Sequence, residues 1–282
     1  MVRLGLHVSV AGGIDRAVSR AREKGCDVFQ IFSSNPRKWC SNPIPCELAK
    51  RFIALQREFG PSLAVDHMPY LPNLASANDE VYAKSVQSLA KELGRCQALG
   101  IAYLVTHMGS HNGAGRKRGL DRIVEALQTV FSECESDTIL LLENSAGTKN
   151  SMGSTFSDIA AVLESLSANH HRLGVCLDTC HLHAAGYDLR NPRALQATLD
   201  QFEDCIGLEQ LMLLHLNDCK GGIGSHLDRH EHIGLGQIGV DGLCAILCHP
   251  ILADLAMILE TPVDARRDDS GNLEVARRLA QG

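Results

Sequence analysis

Short, continuously apolar runs alternate with longer stretches whose apolar residues recur at helical spacing, and this alternation fills the chain. The run "RLGLHVSV" (3–10) precedes the amphipathic "IDRAVSRAREKG" (14–25), and "CDVFQIFSS" (26–34) precedes "CELAKRFIALQREFG" (46–60). Further runs at 62–70, 101–109, 138–146, 172–180, 211–219 and 255–263 precede helical patterns at 79–100, 118–134, 155–167, 192–207, 239–250 and 271–282. That makes eight strand-then-helix units, with no Gly/Ser/Pro linker or low-complexity tract between them. Apolar strands separated by helices predict a parallel sheet covered on both faces. Eight units over 282 residues fit a closed (β/α)8 TIM barrel, an α/β fold, taken as a single domain over 1–282. An open dinucleotide-binding sheet would carry a glycine-rich loop after its first strand, and "VSVAGGID" lacks that spacing.

In such a barrel the chemistry gathers at the C-terminal ends of the strands. There the sequence places His7, His67, His107, Glu143, Asp178, His215 and Glu260, on strands one and three to eight. His181 follows in the loop after strand six, and the long loop after strand seven adds Asp228 and His230. Taken singly, each has an ordinary explanation as a structural histidine, a helix cap or a loop anchor. As a set they do not, because carboxylates set against "TILLL" and "LAMIL" need a cation if buried. Imidazoles and carboxylates converging without thiolates suit a borderline divalent metal such as zinc. The stretch "VCLDTCHLHAAGYD" (175–188) shows the pattern in miniature. Period-two alternation puts Cys176 and Asp178 on one strand face, so Asp178 can point into the mouth while Cys176 packs beneath it. Cys180 has no second thiolate close in sequence and reads as a bystander.

Composition changes little. Hydrophobic content of 45% with 21% charged residues is ordinary for a globular protein. No apolar run reaches the roughly 18 residues of a membrane span, and the N-terminus lacks a secretory pattern, so a cytoplasmic chain without membrane association is expected. Eleven cysteines occur without a CxxC pair, as expected of small buried apolar residues. A formal net charge of −6 argues at first against a polyanionic partner.

The motifs "GLHVSVAGG", "LENSAG", "GVCLDTCHLHAAGYDL", "HLNDCK", "DRHEHIGLGQIG" and "MILET" fall in order along practically the whole chain. In these the sequence resembles endonuclease IV, the zinc-dependent apurinic/apyrimidinic endonuclease family. The resemblance implies three zinc ions per chain: His67 and His107 on the first, Glu143 bridging to a second, Asp178, His215 and Glu260 completing that second, and His181, Asp228 and His230 on the third. It implies hydrolysis of the phosphodiester 5′ to an abasic site, leaving 3′-hydroxyl and 5′-deoxyribose phosphate ends, with trimming of blocked 3′ ends. Glu143 and Glu260 would be the catalytic carboxylates. The partner would be double-stranded DNA containing abasic sites or blocked 3′ ends, with no nucleotide cofactor and a monomeric chain. Arg37 and Tyr70 match residues that fill the base stack from the minor groove while the abasic nucleotide flips out. Three divalent ions would add roughly +6 to the chain's −6, turning the mouth cationic where phosphate must sit. Met108, Pro72 and Thr148 depart from residues common in the family. Two rivals remain: a metal-dependent sugar isomerase or epimerase on the same barrel, which needs only one or two ions, and a catalytically dead DNA-binding relative, against which the full ligand set argues. The basic run Arg116, Lys117, Arg118 could touch phosphate or be a solvated surface.

Overall fold

The computed structural model describes residues 2–39, 42–59 and 64–281. Cys40, the terminal glycines Gly60 and Gly282 of two expected helices, and Ser62 and Leu63 of the expected third strand lie outside the described residues. The strands are β1 (Arg3–His7), β2 (Val28–Ile31), β3 (Ala64–His67), β4 (Tyr103–His107), β5 (Ile139–Glu143), β6 (Leu173–Asp178), β7 (Leu211–His215), β8 (Asp218–Cys219), β9 (His230–Glu231) and β10 (Ala256–Leu259). The helices are α1 (Arg16–Glu23), α2 (Cys46–Phe59), α3 (Asp79–Leu99), α4 (Arg116–Glu133), α5 (Phe156–Ser165), α6 (Thr179–Ala185), α7 (Pro192–Cys205), α8 (Gly239–Cys248) and α9 (Asp269–Leu279). Strands β1 to β7 and β10 close into a parallel barrel in the order β1-β10-β7-β6-β5-β4-β3-β2, while β8 and β9 form a separate antiparallel pair. The expected TIM barrel is therefore the fold.

Local sequence sets the element boundaries. Asn78, Asn191, Thr155 and Asp268 cap α3, α7, α5 and α9 by accepting a backbone N–H from the first turn. Pro192 opens α7, where a missing N–H costs nothing.

Two nested cores follow from strand alternation. Outward-facing residues such as Leu4, Phe29, Leu104, Leu140, Leu177 and Leu214 pack under the helices. Inward-facing Val28, Val65, Val105, Leu141, Cys176, Leu213 and Ile258 plug the barrel. On β1 the inward position is Gly5, where an added Cβ would lie 1.7 Å from the Val28 carbonyl oxygen, so only glycine permits the approach of β1 to β2. Two residues beyond each plug residue, on the same face, stand Gln30, His67, His107, Glu143, Asp178, His215 and Glu260, with His7 two beyond Gly5. Strand register sets His7 beside Gln30, His107 beside Glu143, and Asp178 beside His215.

The structure departs from the sequence reading in two places. His181 lies on a helix, α6, and not in a loop; Asp178 caps that helix, its Oδ1 accepting the His181 N–H at 2.8 Å. The long segment after β7 folds back as the β8–β9 pair, with Cys219 opposite His230.

Candidate metal centre

The carboxylate of Glu143, only 1% exposed, lies at the middle of the barrel mouth. Its Oε2 is 3.1 Å from His67 Nε2 and 3.3 Å from His107 Nδ1, and its Oε1 is 3.1 Å from His215 Nδ1 and 3.4 Å from His181 Nδ1. Glu260 Oε2 is 3.3 Å from His215 Nδ1. Beyond this, His230 Nε2 is 3.6 Å from Asp178 Oδ2, and Asp228 Oδ1 is 3.3 Å from His181 Nε2. Among the described residues, three groups of donor atoms are close enough to share an ion: His67, His107 and Glu143; Glu143, Asp178, His215 and Glu260; and Asp178, His181 and His230. Glu143 belongs to the first two and Asp178 to the last two. Asp228, whose side chain is 52% exposed, flanks the third group, reaching it through His181 and His230.

The histidine tautomers indicate what the groups can hold. His67 Nδ1 faces the Met68 carbonyl at 2.7 Å, His181 Nδ1 the Asn144 carbonyl at 3.0 Å and His230 Nδ1 the Glu260 carbonyl at 2.9 Å. A carbonyl has no proton to give, so in each case the ring nitrogen donates. His215 does the same through Nε2, which donates to Gln30 Oε1 at 2.9 Å. In the neutral rings the opposite nitrogens carry lone pairs, aimed at the carboxylates of Glu143, Asp178 or Asp228. Two lone pairs about 3 Å apart need a proton or a metal ion between them. His230 Nε2 states the case most simply, being buried and without a hydrogen-bond partner. A set of neutral imidazoles and carboxylates with their outer nitrogens pinned fits divalent metal ions.

Charge coupling follows from the same geometry. Burial opposes ionisation of Glu143, but His107, His215 and His181 outweigh it and hold the carboxyl well below its usual range. Burial likewise opposes ionisation of Glu260, and His215, His7 and His67 hold it well below. Burial favours a neutral ring at His181, yet Asp178, Asp228 and Glu143 raise its pKa well above the ordinary value. At His107 burial lowers the pKa, and Glu143 does not fully offset it. Neither Cys176 nor Cys180 offers a thiolate to the cluster. Burial pushes the Cys176 thiol up to about 11, and a hydrogen bond with the Cys219 thiol, then burial, keeps Cys180 protonated.

Three amides escaped the sequence reading. Gln30 Nε2 donates to Glu260 Oε1 at 2.7 Å while its Oε1 holds His215, so one buried side chain orients two candidate ligands. Asn217 donates to Asp178 Oδ2 at 2.6 Å and accepts the Glu260 N–H at 2.8 Å. Asn144 accepts the Asp178 N–H at 2.7 Å. The only sequence signal was position: Asn144 and Asn217 follow strand ends in "LENSAG" and "HLNDC".

Tyr70 is 64% exposed at the rim. Its N–H donates to the Pro36 carbonyl, joining the loops after β3 and β2 beside the exposed Arg37 and Lys38. The Phe32 ring packs on His7, His67 and Tyr70 at centroid separations of 4.3, 5.6 and 5.0 Å, linking the metal-type cluster to these loops. The pocket over the cluster, about 370 Å³, adjoins a cleft of about 980 Å³ lined by Arg37, Lys38 and Tyr70. Trp39 is half-buried, Met108 folds into the core, and Thr148 is exposed. Arg116 pairs with Asp158, and Lys117 with Asp121 at 2.9 Å, so both are engaged locally. Among the described residues no helix is long and apolar enough to cross a membrane.

Residues 18–280 match a family described as a xylose isomerase-like TIM barrel. The chain is 53% identical over 281 residues to "Probable endonuclease 4" of Methanoculleus marisnigri, covering 99% of each. The crystal structure of endonuclease IV from Thermus thermophilus superposes with a TM-score of 0.87 at 37% identity, covering 99% of each chain. A D-tagatose 3-epimerase-like protein also superposes, with a TM-score of 0.72 over 99% of this chain and 96% of that one. At 17% identity that likeness is one of fold alone.

Proposed function

The chain belongs to the endonuclease IV family, and from that premise we propose that it is a zinc-dependent DNA-repair endonuclease acting in base excision repair. Its substrate is duplex DNA containing an abasic site. It hydrolyses the phosphodiester 5′ to that site, leaving 3′-hydroxyl and 5′-deoxyribose phosphate ends, and trims blocked 3′ ends. The observation that carries this reading is the merging of three metal-type groups at one barrel mouth, next to a cationic, aromatic rim.

In this reading His67, His107, Glu143, Asp178, His181, His215, Asp228, His230 and Glu260 hold three zinc ions. Divalent ions held by these residues would supply an activated water at neutral pH and positive charge for the phosphate. The chain's own residues do the rest. Glu143 and Glu260 keep negative charge at the centre, and the pinned histidines present lone pairs inward without needing to rotate. Gln30 fixes the orientation of Glu260 and His215. Arg37 and Tyr70 stand on two loops hydrogen-bonded to each other, where they can fill the gap left by a flipped nucleotide and offset unstacking that costs a few kcal/mol per step. Residues 1–282 act as one catalytic domain, a monomer working in the cytoplasm without a nucleotide cofactor.

The test is product analysis of a labelled duplex carrying one abasic site. The expected products are a 3′-hydroxyl terminus that a polymerase extends directly and a 5′-deoxyribose phosphate on the other fragment. Incision on the 3′ side would contradict the scissile bond named here, and no incision while a ketose is epimerised would favour a sugar enzyme on the same barrel.

A further inference from the structure

The segment "GLGQIG" (234–239) has the G-x-G-x-x-G spacing of a phosphate-binding loop and leads directly into α8. In this protein the loop is already filled by a carboxylate of the chain itself. Asp218, fully buried on β8, accepts five backbone N–H groups. Its Oδ1 takes those of Cys219 at 2.8 Å, Ile238 at 3.0 Å and Gly239 at 3.3 Å; its Oδ2 takes those of Gly236 at 2.9 Å and Gly234 at 3.1 Å. None of the ion pairs among the described residues involves Asp218; its hydrogen-bond partners are these backbone N–H groups, as in the concave anion sites made by successive N–H groups. The glycines are there for this. Gly234 and Gly239 take positive φ, and a Cβ on Gly236 would stand 2.5 Å from Asp218 Oδ1 and from the Cys219 carbonyl oxygen.

The cradle closes the base of the segment that carries Asp228 and His230. That segment leaves the barrel next to Asp218 and pairs back at Cys219 opposite His230. Its return is pinned by the Lys220 N–H to Arg229 carbonyl bond at 2.9 Å and the Gln237 N–H to Cys219 carbonyl bond at 2.7 Å. His230 is thus one ladder position from the filled cradle, and its ring is aimed at Asp178 and His181. We propose that Asp218 is a positioning residue for the third metal group alone, holding Asp228 and His230 against His181 and Asp178 without touching the ions. This rests on the three-zinc reading above.

Stepwise chelator competition followed by intact-mass spectrometry, on the zinc-loaded full chain, separates the two ideas. The variants are Asp218→Asn, which turns an amide N–H toward N–H donors, and Gly236→Ala, which keeps the carboxylate but crowds it. Both should hold one ion roughly 10- to 100-fold more weakly, the range for loss of a group that orients a ligand, while the other two ions change by less than about twofold. Wild-type protein that never holds more than two ions overturns the three-zinc reading and this inference with it. Wild-type protein holding three, with variants that hold all three normally or lose all three together, overturns the inference alone. So does failure of both variants to fold, since Asp218 would then serve the whole barrel and not one group.

Discussion

The two oxygens of Glu143 face different histidines, Oε2 toward His67 and His107 and Oε1 toward His215 and His181. Replacing one oxygen by an amide NH2 directs a donor at lone pairs that an ion should occupy. Glu143→Gln should therefore lose several orders of magnitude in turnover while still binding abasic duplex. Near-normal turnover in that variant would remove Glu143 from the centre. Cys180 makes the contrast within the same stretch of chain. It is buried against Cys219 with its thiol kept protonated, so Cys180→Ser should leave metal content and turnover nearly unchanged. A drop in bound zinc would make it a ligand after all. Single residues were legible in the sequence where chemistry forced an unusual type into an apolar setting, as at Glu143 after "TILLL". Gln30 was not, because an amide inside a strand carries no charge to explain, and its partners His215 and Glu260 lie far along the chain.

Among the elements, the loop after β2 is held from behind by α3. Arg95 donates to the Ser33 hydroxyl at 2.9 Å and the Asn42 carbonyl at 2.6 Å, and the Ser33 hydroxyl donates to buried Glu92 at 2.7 Å. Asp66 Oδ1 accepts both the Ser33 N–H at 2.8 Å and the His67 N–H at 3.0 Å, so one carboxylate ties this loop to the strand that ends on a candidate ligand. Arg95→Ala should loosen the loop that presents Arg37 and weaken abasic-duplex binding by about tenfold, within the ~1–3 kcal/mol cost of losing buried hydrogen bonds, with zinc content unchanged. The double change Arg37→Ala and Tyr70→Ala should go further. Titrated at one fixed salt concentration, it should lose far more affinity for abasic than for intact duplex, which needs no wedge. Equal losses on the two duplexes would reduce Arg37 and Tyr70 to backbone anchors. Element type was legible from periodicity along nearly the whole chain. The misses were α6 and the β8–β9 pair: α6 is short and capped by Asp178, and β8–β9 rests on a two-residue register and the Asp218 cradle, neither of which leaves a periodic trace.

At the scale of the whole molecule, one alternation does most of the placing. Each inward strand position carries an apolar plug and, two residues later, a polar group at the mouth, so closing the barrel brings His67, His107, Glu143, Asp178, His215 and Glu260 together. That convergence could be read from sequence once eight units were counted. The sharing of Asp178 between two groups could not, because it depends on how α6 and β9 pack over the mouth. Without ions the cluster's carboxylates are part of a chain at −6, so loading ions should favour an anionic substrate. The decisive measurement is a zinc titration of chelator-stripped protein that follows bound metal and abasic-site incision together. Incision should saturate at about three ions per chain and stay near zero when only the tightest single ion is bound. Full incision at one ion per chain would contradict the three-zinc reading.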